Sequence, residues 1–191
     1  MRAAVVVILG AGLALGLGLW TAWLAVRSPA PIDAILLGSW QAWPNAGTES
    51  VDPYSRARLA RTGEIPLGSG EGLMLLAQTD DSGEPLTSRC DYRIEGQTPP
   101  ARLWTLSVED IEGRVVTDGG NVSALGSDVL LRAPDGNFEI VLSPTTKAGN
   151  WIFTGNASRI RVVVRLYDTT ARLVTAMTTL TMPRIRRERC A

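Results

Sequence analysis

The feature that most constrains this chain is its start. Residues Ala3 to Val26 read AAVVVILGAGLALGLGLWTAWLAV, 24 residues without a charge. A helix rises about 1.5 Å per residue, so the run reaches about 36 Å, against a hydrocarbon core of about 30 Å. Lipid offers no hydrogen bonds, so a single crossing segment must satisfy its own backbone as a helix. The run predicts a transmembrane helix, with residues 3–26 in contact with membrane lipid. A cleaved signal peptide is the alternative. Signal cores are usually about 7–15 residues, shorter than this run. The first small-residue cleavage candidate, Ser28-Pro29-Ala30, would also place Pro31 directly after the cut. The reading is an uncleaved signal-anchor: residues 1–31 as anchor and linker, 32–66 as a helical lead-in, and 67–191 as a β-sandwich domain.

Arg2 and Arg27 flank the run at opposite ends, so the count of positive charges leaves orientation open. The short preceding tail and the two cysteines favour a single pass of the inner (cytoplasmic) membrane with the C-terminal domain in the periplasm. Gly12 and Gly16 form a small-xxx-small pair on which two helices can pack closely. The expected partner is an envelope protein or a second copy of the chain; the alternative reading of the glycines is that glycine is simply common in membrane helices.

About 165 residues follow the helix, enough for one well-cored domain. The chain carries 19 basic and 19 acidic residues, and Lys147 is its lone lysine. A neutral total argues against a nucleic-acid partner. There is no histidine, which removes the usual general base, the Ser-His-Asp and Cys-His arrangements, and the commonest zinc ligand. No calcium-type loop spacing is present either, so neither a metal nor another cofactor is expected. Cys90 and Cys190 lie 100 positions apart. They pair as a disulfide in an oxidising compartment and stay free thiols in cytosol.

Ile32–Trp43 is apolar but too short to span, and reads as a continuation of the helix or an interfacial segment. There Trp40 and Trp43 would join Trp20 and Trp23 in an aromatic belt, or else pack on the domain core. Asp52-Pro53 is a helix start and Gly63 a helix stop, giving a short helix Pro53–Thr62. Its Arg56, Arg58 and Arg61 suit an anion or lipid headgroup, or a solvated face. From Leu67 the pattern has period two. Strands are expected at Leu73–Thr79, Cys90–Glu95, Trp104–Glu109, Arg114–Thr117, Val129–Arg132, Phe138–Leu142, Arg159–Asp168 and within Leu173–Thr181. Turns fall at Asp80–Gly83, Glu112-Gly113 and Pro134-Asp135-Gly136. The fold class is mainly β, a jelly-roll-like β-sandwich preceded by the transmembrane helix and a short α-helix.

The segments DPYSRA (Asp52–Ala57), TGEIPL (Thr62–Leu67), CDYRIEG (Cys90–Gly96), PPARLWTLSVED (Pro99–Asp110), PDGNFEI (Pro134–Ile140), Asn150-Trp151 and VRLYD (Val164–Asp168) together resemble the bacterial family called domain of unknown function 1214. The resemblance implies a jelly-roll-like sandwich with no agreed biochemical activity. Larger relatives carry a second domain upstream, where this chain has its apolar helix. Ser107-Val108-Glu109-Asp110 departs from the aromatic-Asp ending expected after the Trp strand.

Gly68-Ser69-Gly70-Glu71-Gly72 lacks the Lys-Ser/Thr ending of a phosphate loop and leads into a strand, so it reads as an entry to the sheet. Glu109, Asp110 and Glu112 sit at a strand end and turn, where carboxylates are usually solvated, with paired-carboxylate glycosidase chemistry the alternative; Ser143 and Lys147 lack the spacing of a Ser-Lys pair. No catalytic residue is assigned. Arg102 with Trp104, Asn150 with Trp151, and Arg165 form a candidate binding set, since guanidinium and indole faces suit a sugar or a carboxylate. The alternative role of these residues is to fill the core and tie down loops. The Arg184–Arg189 tail is a further candidate for contact with lipid. The function expected is a non-catalytic binding or assembly module. A carbohydrate- or ester-directed hydrolase using carboxylates is the alternative.

Overall fold

Arg2–Arg27 forms one continuous helix, α1, in the computed structural model. The structure describes residues 2–27, 34–68, 70–117, 120–169 and 180–190. α1 is long and apolar enough to cross a membrane and has no buried residue. The strand expected within Leu173–Thr181 falls mainly outside the described residues.

The rest of the chain is mainly β. Among the described residues ten strands follow α1: β1 (Ile35–Leu37), β2 (Trp40–Ala42), β3 (Gly72–Ala77), β4 (Cys90–Gly96), β5 (Leu103–Asp110), β6 (Ala124–Gly126), β7 (Phe138–Ser143), β8 (Trp151–Phe153), β9 (Ile160–Tyr167) and β10 (Arg184–Cys190). A short helix, α2 (Pro53–Thr62), lies between β2 and β3. One sheet has the order β1-β2-β3-β9-β5-β6, the other β10-β4-β7-β8. All neighbours are antiparallel except β7 and β8.

Alternation explains the long strands. β9 turns Ile160, Val162, Val164 and Leu166 inward. β5 adds Trp104, Leu106 and Val108, and β3 adds Leu73, Leu75 and Ala77. The second sheet answers with Tyr92, Ile94, Phe138, Ile140, Leu142 and Ile152. All belong to one apolar cluster shared by the two sheets. At about 25 cal/mol per Å2 of buried apolar surface, this shared layer is the main favourable contribution to the fold.

Residues 35–42 correct the expectation of a helix or interfacial segment. They form a hairpin with Leu37 opposite Trp40, turning at Gly38, whose φ of 63° suits the first position of a two-residue loop. The hairpin extends the first sheet by pairing with β3. Trp40 is 1% exposed, and its indole N–H donates to the Pro183 carbonyl at 2.8 Å. This Trp is a core residue and not part of a belt.

α2 matches its sequence signals. The Asp52 carboxylate accepts from the amides of Tyr54 and Ser55 at 2.9 and 3.0 Å, and Gly63 closes the helix in the left-handed region. The helix lies against the first sheet's outer side, with Arg58 stacked 5.2 Å from the Trp43 ring. β9 itself is buried at Ile160–Val164 and at Leu166. The expected strands Arg114–Thr117 and Val129–Arg132 shrink to single bridges, Glu109 to Val115 and Arg132 to Phe138. The Arg-rich tail is β10, paired along β4.

Candidate functional site

At one end of the second sheet, the surface opens into a cleft of about 1120 Å3. Its wall includes Gln97, Arg132, Asn137, Phe138, Asn150 and Met182. The turn Pro134-Asp135-Gly136 builds this wall. Asp135 accepts from the Asn137 amide at 2.9 Å, and that bond holds its carboxyl below the ordinary range. Gly136 takes φ 83°, and the Ala133 amide donates to the Asn137 carbonyl at 2.8 Å.

The tight reversal brings Arg132 back over the aromatic pair beneath it. Its guanidinium carbon lies 5.6 Å from the centroids of both Trp104 and Phe138, rings whose own centroids are 5.1 Å apart. The guanidinium makes a single 3.3 Å hydrogen bond, to the Gly136 carbonyl. Among the described residues it has no carboxylate partner. A cation resting on ring faces with most donors unused suits a carboxylate or a planar polar group. Both carboxylates on the cleft wall are already engaged: Glu139 with Arg93 at 2.7 Å and Glu95 with Arg186 at 3.1 Å.

A second polar assembly lies on the outer face of the first sheet. The Glu109 side chain is 1% exposed. Its Oε2 accepts from Arg161 at 2.7 and 3.0 Å. Its Oε1 accepts from Arg165 at 2.9 Å and from the Ser107 hydroxyl at 3.2 Å. Arg161 continues to Glu64 at 3.4 Å. Register explains the meeting, because Glu109 stands opposite Arg161 on the β5–β9 pair. Glu109 is therefore a buried ion partner and not a solvated turn carboxylate. Asp110 and Glu112 both pair with Arg114. Lys147 turns to Asp91 at 3.0 Å, and Ser143 bonds Thr145 at 3.1 Å, so this pair makes no nucleophile and base. Burial disfavours the ionised Asp91, but the Ser143 hydroxyl, Lys147 and Arg189 outweigh it, and its carboxyl stays below the ordinary range.

The candidate binding residues do not form one patch. Trp104 is buried in the core at 3% exposure. Arg102 is exposed just before β5, and its backbone amide donates to the Tyr167 carbonyl. Arg165 is committed to Glu109 and Ser107 on the opposite face of the sheet. Asn150 reaches the cleft wall, but its amide is spent on the backbone: it donates to the Leu131 and Glu139 carbonyls and accepts from the Leu131 amide, all at 2.8 Å. Those bonds anchor the connection that brings β8 alongside β7. Trp151 donates to the Ser143 carbonyl at 3.2 Å and meets Phe153 edge-on. The arginine over Trp104 is Arg132. Sequence reasoning placed it at the end of a strand and did not weigh it, although it stands two residues before the Pro-Asp-Gly turn, a position that folds back on the next strand.

Cys90 and Cys190 form a disulfide at directly opposed positions of β4 and β10. Three of the four arginines of β10 are also ion-paired within the domain: Arg186 to Glu95, Arg187 to Asp80 and Arg189 to Asp91. Arg186 and Arg189 keep 59% and 76% of their side-chain surface exposed in these pairs.

The comparisons with known proteins agree with the fold. Among curated proteins none matches the chain. The crystal structure of the VPA0106 protein from Vibrio parahaemolyticus superposes with a TM-score of 0.58 at 18% identity, covering 73% of this chain and 36% of that one. A putative uncharacterized protein from Burkholderia cenocepacia gives a TM-score of 0.45 at 25% identity, over 65% of this chain and 31% of that one. This chain thus spans about a third of the length of either structure. The family model described as "Protein of unknown function (DUF1214)" matches residues 71–171, from the start of β3 to just past β9. A match over more than half of the sequence identifies the chain as a member of the DUF1214 family.

Proposed function

We propose that the chain is a non-catalytic binding module anchored in the inner membrane by α1, with its β domain on the periplasmic side. In this reading the Arg132 cleft takes a carboxylate-bearing ligand. The observation that carries it is the Arg132 guanidinium, seated on Trp104 and Phe138 at the cleft wall with most donors unused. The arginine pairing of Glu95 and Glu139 supports binding over proton transfer, since an acid-base pair needs a free carboxyl with a tuned pKa. The disulfide supports the periplasmic placement. The domain begins, on this proposal, at the β1–β2 hairpin, which shares the first sheet, rather than at residue 67.

The test is a titration of the detergent-purified full chain with citrate, succinate and a uronic-acid oligosaccharide, followed by intrinsic tryptophan fluorescence. At least one probe should saturate, and Arg132→Ala should weaken it about tenfold to a hundredfold, the worth of one or two charge-assisted bonds. Equal responses of wild type and variant to all three probes would overturn the proposal.

A further inference from the structure

The end of α1 and the arginines of α2 meet at one place. Ala22, Ala25 and Val26 are half-buried, while the remaining described residues of α1 are exposed. The end of the helix rests against α2. Arg27, the last residue of α1, stacks 4.0 Å from the Trp23 ring. Beside it is a crevice of about 240 Å3 whose wall includes Arg27, Arg58, Arg61, Arg159, Arg161 and Glu64. Arg161 is committed to Glu109, and Glu64 is shared between Arg161 and Arg58 at 3.4 and 3.8 Å. The other carboxylate on the wall, Glu112, is held by Arg114 at 3.4 Å. Arg27, Arg61 and Arg159 have no carboxylate partner among the described residues, and all three are exposed. Three uncompensated guanidinium groups thus line one concavity at the end of an apolar helix of membrane-crossing length.

Guanidinium forks match phosphate oxygens two at a time and are less strongly hydrated than ammonium groups. We propose that this crevice binds a phosphate-bearing group, and that the group is the headgroup of an anionic phospholipid. The inference rests on the anchor reading of α1, which puts Arg27 at headgroup depth. It is independent of the Arg132 cleft.

The test uses the full chain in a neutral detergent, titrated with phosphatidylglycerol, phosphatidylcholine or inorganic phosphate, with binding read by native mass spectrometry. Phosphatidylglycerol should bind more tightly than phosphatidylcholine. The double variant Arg61→Gln/Arg159→Gln should weaken it by about 25-fold, about fivefold for each arginine near a membrane surface. Arg56→Gln removes a charge from the same helix away from the crevice and should leave binding unaltered. An equal loss per charge in that control would make the effect one of bulk charge and overturn the site. No preference for phosphatidylglycerol over phosphatidylcholine in an intact chain would overturn the proposal while leaving the anchor standing. Saturable inorganic phosphate binding without lipid preference would overturn the headgroup assignment. An intact mass lacking residues 3–26 would overturn the anchor reading and the proposal together.

Discussion

Glu109 stands between two arginines with almost no water around it. Removing one partner of such a group is costly because the other charge stays buried. Glu109→Ala should lower stability by about 3–5 kcal/mol in urea unfolding, since the Arg161 side chain is only 7% exposed. Glu109→Leu with Arg161→Met should cost less than Glu109→Ala alone, because it removes both fully buried charges and leaves only Arg165, which is 28% exposed. Asp80 gives a different signature. Burial pushes its pKa up, but Ser82, the Glu84 amide and Arg187 outweigh this and hold it below the ordinary range. A depressed folded pKa contributes stability that is complete above the unfolded value of about 3.9 and disappears as pH falls through the folded one. Asp80→Asn should therefore cost about 1.5–3 kcal/mol at pH 7. The gap from wild type should close as the pH of thermal unfolding is lowered below about 4. The Glu109 contact was half legible in the sequence: alternation placed it opposite Val108, but only the β5–β9 register shows that Arg161 is its neighbour.

At the scale of elements, β10 depends on its attachments more than on its composition. Only Ile185 of its seven residues is buried, so apolar burial alone holds it weakly. The disulfide closes a loop 100 residues apart in sequence, for which the chain-entropy relation gives about 4.7 kcal/mol, and bridges typically deliver about 2–4. Cys190→Ser should cost an amount in that range. Hydrogen exchange should show the amides of Arg184–Arg189 losing protection before those of β9. The same composition explains why this strand was read as a tail, since RIRRERC has no alternation. β3, β4, β5, β7 and β9 were legible because one face of each is apolar at period two. β1 and β2 were not, because ILLGSWQAW looks apolar throughout. Its one turn signal is Gly38-Ser39, and the adjoining apolar run points toward helix. β6 is only three residues long, too short for alternation to show. The cleft is hidden for a related reason: Arg132 and Trp104 are 28 positions apart and meet only because the Pro-Asp-Gly turn folds Arg132 onto Phe138, which packs on Trp104 from the other sheet.

At the scale of the whole molecule, α1 and the β domain call for different solvents. α1 exposes Val5, Ile8, Leu9, Leu13 and Leu19 at half or more of their surface, which water does not tolerate in such a run. On the anchor reading, the full chain should remain in the membrane pellet after an alkaline carbonate wash, and deletion of residues 2–27 should release it. Alkaline phosphatase fused after Ala191 should be active, and an inactive fusion would place the domain in the cytoplasm.

The ends of the two sheets carry a consequence for molecules crowded side by side in a bilayer plane. A sheet's outermost strand is a template on which another chain can continue the hydrogen-bond ladder. β1, β6 and β8 are each three residues long, too short to nucleate much pairing. The one long border strand, β10, presents Arg184, Arg186, Arg187 and Arg189. Two copies approaching along it would have to disturb the ion pairs of Arg186, Arg187 and Arg189 before backbone met backbone. On the anchor reading, copies held in one membrane therefore meet without a long bare sheet edge through which to pair.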